Sequence, residues 1–151
     1  MQKTHIHHLL SLSYITHFVA ILGAFLLQYI VPFAQFAKYQ EIGFLLMILG
    51  TWLVFYSQHI SHKKVMLRKD ISFLAPESFE HGPYKFLRSP THVGLFILSL
   101  GFSFMTGMLW MFIMSAVAFM VTKFTFLRQE EKILRARYGD AYVQYEAKHP
   151  F

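Results

Sequence analysis

Two polar stretches in an otherwise apolar chain carry residue types suited to chemistry. The first is HGPYKFLRSPTHVG, residues 81–94. Gly82-Pro83 predicts a turn, because proline fixes φ and glycine accepts the conformation the turn demands. Pro90 suits the first turn of a helix, where a missing N–H costs nothing. Between the prolines lie Tyr84, Lys85 and Arg88, and the free amides of the helix start point back at them, which makes this corner receptive to an anion. The second stretch, RQEEKILRARYGDAYVQYEAKHP from Arg128, sets Glu130 and Glu131 on the first turn after a long apolar run. Glu131 is expected to pair with Arg135 at i, i+4, whereas Glu130 has no cation at that spacing. A carboxylate without a local partner at the end of a membrane helix is a candidate for meeting a ligand's positive charge. An arginine corner and a facing glutamate under an aromatic-rich roof suit a zwitterionic or cationic ligand with an adenine-like ring.

The elements that must position these residues are membrane helices. The chain has 151 residues, 55% hydrophobic, with 17 Phe and only 15% charge, and a mean hydropathy of +0.40; a soluble domain carries roughly 25% charge. No Asp, Glu, Lys or Arg occurs in residues 4–37, 42–62 or 89–122. A span needs about 20 apolar residues, so the first two runs hold one helix each. The third, extended to Leu127, suits two helices with a tight turn at Thr106-Gly107, Gly101 being the competing bend. The fold class is therefore all-α integral membrane, a single domain of four transmembrane helices near 12–35, 41–60, 90–105 and 108–127. A loop over 61–89 and an amphipathic tail helix over 128–151 complete it, with the last two spans forming a helical hairpin. Leu127, Leu134, Tyr138, Ala141 and Tyr145 form an apolar stripe expected to lie along the headgroups.

Four spans put 12 of the 14 Lys and Arg on one side, which the positive-inside rule makes cytoplasmic together with both termini. The 61–89 loop and the tail then face one compartment and can build a site together. The same topology accounts for the net charge of +6 without invoking nucleic acid. The absence of cysteine excludes disulfides and thiolate chemistry. The N-terminal apolar run is longer than a signal peptide's and reads as a retained span.

In order and spacing, GPYKFLRSPTHVG, a run of about 35 apolar residues, then RQEEKILRARYGDAYVQY resembles the isoprenylcysteine carboxyl methyltransferase and phospholipid methyltransferase superfamily. That family's pattern is G-x-Y, then R-H-P-x-Y-x-G, a helical hairpin, E-E, and F/Y-G-x-x-Y-x-x-Y, and the resemblance covers residues 81–147. It implies a membrane-embedded methyltransferase using S-adenosylmethionine on a lipophilic or small membrane-permeable acceptor. By position, Tyr84, Arg88, Ser89, Pro90, Thr91, His92 and Gly94 would form the cofactor site, with Glu130 reaching it from the tail. Arg88 and His92 are the candidate catalytic residues, and Gly94 is expected to permit close helix packing. Ser89 stands where the family has His, and His92 where it has Tyr, so the imidazole is displaced three positions along the helix start. Aromatics near the sulfonium, Tyr84 or Phe86, could add cation–π attraction.

Plainer readings stand beside these. Lys85 and Arg88 also serve as positive flanks, and Glu130 and Glu131 as a solvated helix start. His5, His7, His8 and His59-x-x-His62 could share a face for a metal, but no carboxylate box accompanies them. Trp110 is placed as an interface anchor. The functional alternative is a non-catalytic membrane binding or scaffold protein on the same fold, for which gain of activity on Ser89→His would be diagnostic. A nicotinamide-dependent reductase is weaker, because nothing marks a dinucleotide site.

Overall fold

The computed structural model describes residues 2–32, 35, 39–67 and 82–148, with the backbone alone for 2–9, 61–67 and 137. Among the described residues every regular element is helical. The order is α1 (Gln2–Ile30), α2 (Gln40–Leu67), a 3-10 turn (Gly82–Lys85), α3 (Pro90–Thr106), α4 (Leu109–Val121), a π-helical turn (Thr122–Leu127), α5 (Arg128–Tyr138) and α6 (Asp140–Lys148). Three helical stretches are long and apolar enough to cross a membrane, Leu10–Ile30, Gln40–Ile60 and Leu109–Ala136, while α3 is a shorter apolar helix of 17 residues.

The boundaries follow local chemistry. α1 stops at Ile30, five residues before the expected end, because Pro32 disfavours the helical conformation at the residue preceding it. α2 runs past residue 60 to Leu67, since nothing in SHKKVML breaks a helix, and so takes the first part of the expected loop. The remainder of that loop, 68–81, lies outside the described residues. α3 ends on Gly107, whose φ of 67° is left-handed and whose N–H bonds the Ser103 carbonyl at 2.9 Å; glycine adopts this conformation without steric cost. The expected turn is therefore at Thr106-Gly107, and Gly101 is interior to α3.

The helices alternate in direction. α2 and α3 share the most extensive interface, through two reciprocal glycine pairs. A Cβ on Gly43 would lie 2.7 Å from the Gly101 carbonyl oxygen and one on Gly101 2.7 Å from that of Gly43, and Gly50 meets Gly94 likewise at 2.7 and 3.0 Å. Backbones this close exclude any side chain, the packing mode of helices that must associate without a hydrophobic drive. The Gly94 expectation is met here. α1 lies against α4 through a small face that includes the buried Ala20 and Ala24. At the hairpin end, Trp110 Nε1 donates to the Val31 carbonyl at 3.0 Å and Tyr39 N–H to the Phe104 carbonyl at 3.2 Å, so the tryptophan is anchored to the end of α1.

Polarity is inverted relative to a soluble bundle. Phe18, Leu26, Phe44, Trp52 and Phe55 are exposed, while Ser13, His17, Ser57, His92, Ser99, Ser103, Ser115 and Thr122 are buried. Several of these hydroxyls return to their own helix: Ser99 Oγ donates to the Leu95 carbonyl at 2.9 Å and Ser115 Oγ to that of Met111 at 2.7 Å. An apolar exterior with polar groups turned inward is the arrangement that lipid demands, although His17 Nε2, Ser103 Oγ and Thr122 Oγ1 find no hydrogen-bond partner among the described residues.

The tail differs from the single helix expected. α5 continues α4 through the π turn, and the chain breaks at Gly139, with φ 56° and ψ −136°, a conformation suited to glycine alone. α6 then folds back. Tyr145 is accordingly 2% exposed and packs in the protein instead of extending a headgroup stripe.

Candidate functional site

The corner begins with the 3-10 turn at Gly82–Lys85, where Gly82 has φ 56° and buried Pro83 accepts from the amides of Phe86 and Leu87 at 3.1 and 3.0 Å. Pro90 opens α3 as its sequence position demands, with Ser89 at the cap position making no side-chain capping bond. This geometry sets Arg88 one turn before the helix and turns it toward the tail.

There the two polar stretches meet. Arg88 Nη2 stands 2.5 Å from Glu131 Oε1, and Nη1 donates to Glu146 Oε1 at 3.0 Å. Only 16%, 12% and 15% of the three side chains remain exposed. The close approach to Glu131 is coulombic contact without hydrogen-bond alignment, and Arg88 Nε is buried with no hydrogen bond among the described residues. Arg135 completes the cluster, its Nε and Nη2 gripping the Glu146 carboxylate at 2.8 and 2.7 Å, and Tyr145 Oη donates to the Tyr84 carbonyl at 2.6 Å. The expected Glu131–Arg135 pair is thus replaced by Arg88–Glu131 and Arg135–Glu146. The reason is that α6, returning after Gly139, offers Arg135 a better-aligned bidentate partner.

The electrostatics follow. Arg135's hydrogen bonds hold the Glu146 carboxyl below its ordinary value, against a smaller opposing effect of burial. Burial raises the Tyr142 phenol above its ordinary value; Glu131 adds to the rise and Arg88 opposes it, with Glu130 and Glu146 contributing further. The Tyr142 ring therefore stands among all four charges. Burial, with Glu131 beside it, raises the Glu130 carboxyl to about 7, so near neutral pH the three carboxylates and two guanidiniums together lie between neutral and one net negative charge.

The other expected site residues divide between the mouth of this corner and the bundle interior. Tyr84, Ser89 and Glu130 are partly exposed, whereas Pro90, Thr91, His92 and Gly94 are buried. Phe86 is 77% exposed and offers no enclosed face to a cation. His92 points across the bundle, its Nε2 3.1 Å from Ser13 Oγ on α1. Of the histidines considered for a metal, the side chains of His5, His7, His8 and His62 lie outside the described residues, and that of His59 is exposed.

Sequence reasoning missed Ser13, His17 and Glu146. His92 and Ser13 are 79 positions apart, and Arg88 and Glu146 are 58 apart; no periodic pattern marks such pairs. The double carboxylate, the arginine and the tyrosines nevertheless converge as one constellation, and a comparison with family models decides which family the chain is in: that of phospholipid methyltransferase matches residues 39–141. The chain belongs to the phospholipid methyltransferase family. It is accordingly a membrane protein of methyltransferase kind. The match takes in α2, the hairpin, the Arg88 corner and the Glu130-Glu131 pair, and leaves out α1, Tyr145 and Glu146. No curated protein and no solved structure matches the chain.

Proposed function

We propose that this phospholipid methyltransferase family member transfers a methyl group from S-adenosylmethionine to a lipophilic or small membrane-permeable acceptor at the cytoplasmic membrane face. In this reading it crosses the bilayer four times, α3 included, with both termini cytoplasmic. The observation that carries the proposal is the 2.5 Å approach of Arg88 to Glu131, which joins the two family motifs into one corner.

The residues present fit the cofactor. Its sulfonium and ammonium charges suit the carboxylates of the cluster, and its carboxylate suits Arg88, whose Nε is a buried donor without a partner among the described residues. When bound, the cofactor supplies an electrophilic methyl group. The chain's own part is to hold and enclose: Arg88 and Glu130 take the charged ends, and Tyr84, Ser89, Pro90, Thr91, His92 and Gly94 form the wall. Glu131 and Glu146 keep Arg88 in place, and Tyr145 ties α6 to the Tyr84 carbonyl. Positioning and exclusion of water supply most of the rate in a direct displacement of this kind.

Equilibrium dialysis of the detergent-solubilised protein with radiolabelled S-adenosylmethionine tests the reading. Saturable binding is expected, weakened at least about ten-fold in Arg88→Met, the loss of one charge-assisted hydrogen bond. A folded wild-type protein that binds none overturns it.

A further inference from the structure

α1 stands outside the matched family region yet contributes two buried polar side chains, Ser13 and His17. His17 is 4% exposed, and its Nδ1 lies 2.9 Å from the Ser13 backbone carbonyl. A carbonyl oxygen only accepts, so Nδ1 carries the proton, and in the neutral ring Nε2 is left as a lone-pair acceptor. Nε2 is buried and has no hydrogen-bond partner among the described residues. An acceptor buried without a donor is a standing cost to the fold, one that binding of a suitable donor would remove.

The surroundings give this atom a context. Ser13, whose carbonyl fixes the His17 tautomer, also meets His92 through its hydroxyl. His92 stands one turn along from Arg88, so the imidazole pair adjoins the proposed cofactor corner from the membrane side. Beside it, Gln58 on α2 donates to the Tyr14 hydroxyl on α1. Apart from that bridge α1 and α2 touch little among the described residues, so this is the side on which α1 is least held by its neighbours.

Resting on the methyl-transfer reading, we infer that His17 Nε2 is the recognition point for the methyl acceptor: a membrane-dissolved molecule whose head presents an N–H or O–H donor. The Ser13 carbonyl holds His17 in the accepting tautomer, and the Ser13 hydroxyl aligns His92 beside it. A lone-pair acceptor of this kind selects a donor-bearing head and offers nothing to one without N–H or O–H.

The test uses the full-length protein with ¹⁵N-labelled histidine in phosphatidylcholine nanodiscs, the His17 ring signals being assigned by their loss in His17→Gln. Adding phosphatidylethanolamine, an N–H donor, or diacylglycerol, an O–H donor, is expected to move the His17 Nε2 resonance; whichever of the two acts narrows the donor class. More phosphatidylcholine, which has neither donor, is expected to leave it unmoved. A signal insensitive to all three lipids, or moved equally by phosphatidylcholine, overturns the inference. Where turnover is measured on phosphatidylethanolamine vesicles, His17→Leu is expected to raise the acceptor KM about ten-fold, the worth of one hydrogen bond. His17→Gln, which keeps an accepting oxygen, should recover part of that loss, and cofactor binding should be unchanged in both. Failure of the wild type to bind S-adenosylmethionine would sink the methyl-transfer reading alone, since the lipid-induced shift is read without the cofactor.

Discussion

Arg88 holds carboxylates from two tail helices at once, and the consequences at residue scale are electrostatic. Two carboxyls outside the proposed spans titrate away from their ordinary value: burial, with Glu131 beside it, raises Glu130 to about 7, and Glu146 moves the other way. Its carboxyl is held below the ordinary value of 4.5 by Arg135, so its contribution to stability is complete above that value and is lost as pH falls through the lower folded one. In nanodiscs, hydrogen-exchange protection of 140–148 is expected to fall on acidification below about 4.5. Glu146→Gln should already be poorly protected at neutral pH and show no further step. Unchanged protection in both proteins would mean that Glu146 does not hold α6. The sequence displayed Arg88, Glu130 and Glu131 because each sits in a run of turn or capping signals. Glu146 and His17 gave no such sign: their partners are chosen by how distant helices meet, and an isolated Glu or His in a helix looks like any other.

At the scale of elements, the α2–α3 contact governs whether the corner exists, since α3 carries it. A methyl on Gly50 would stand 2.6 Å from the Leu98 nitrogen and 2.7 Å from the Gly94 carbonyl oxygen, both backbone atoms that cannot step aside. Gly50→Ala is therefore expected to destabilise the fold by about 1–3 kcal/mol, the usual range for overpacking, seen as a lower thermal midpoint in detergent. Gly23→Ala serves as the control: its methyl meets only the flexible end of Met114 at 3.3 Å, and a change within about 0.5 kcal/mol is expected. Equal midpoints for the two variants would contradict the packing described. The helices and the Gly107 turn were legible because long uncharged runs and a lone Thr-Gly pair leave few alternatives. The glycine pairing was not, since Gly43, Gly50 and Gly101 acquire meaning only once the partner helix is known. The second tail helix was missed for a related reason. RYGDAYVQY keeps helical spacing across Gly139, and only the pull of Arg135 and Arg88 on Glu146 shows why the chain turns there.

For the whole molecule, the alternating helix directions bring the start of α3 and the tail to one end, the end proposed above to be cytoplasmic on the positive-inside rule. A chain with no cysteine of its own permits single-cysteine labelling without background. Phe86→Cys and Gln144→Cys, both at exposed positions, are expected to react with an impermeant maleimide from the cytoplasmic side alone, and Tyr39→Cys, 52% exposed, from the opposite side alone. Labelling of Phe86→Cys and Gln144→Cys from different sides would dissolve the shared site and the four-span reading with it.

The π turn at Thr122–Leu127 makes the site sensitive to chain length where it is insensitive to side-chain identity. Ordinary winding advances each residue by about 100° around the axis, and a wide turn absorbs one residue more than an α-helical one. Excising a single amino acid there would rewind the rod and swing every later side chain by roughly that angle, carrying Glu131 off the azimuth of Arg88. Relatives that gain or lose one position in this stretch can thus preserve every motif letter and still aim the tail elsewhere, so aligned motifs alone do not establish an assembled corner.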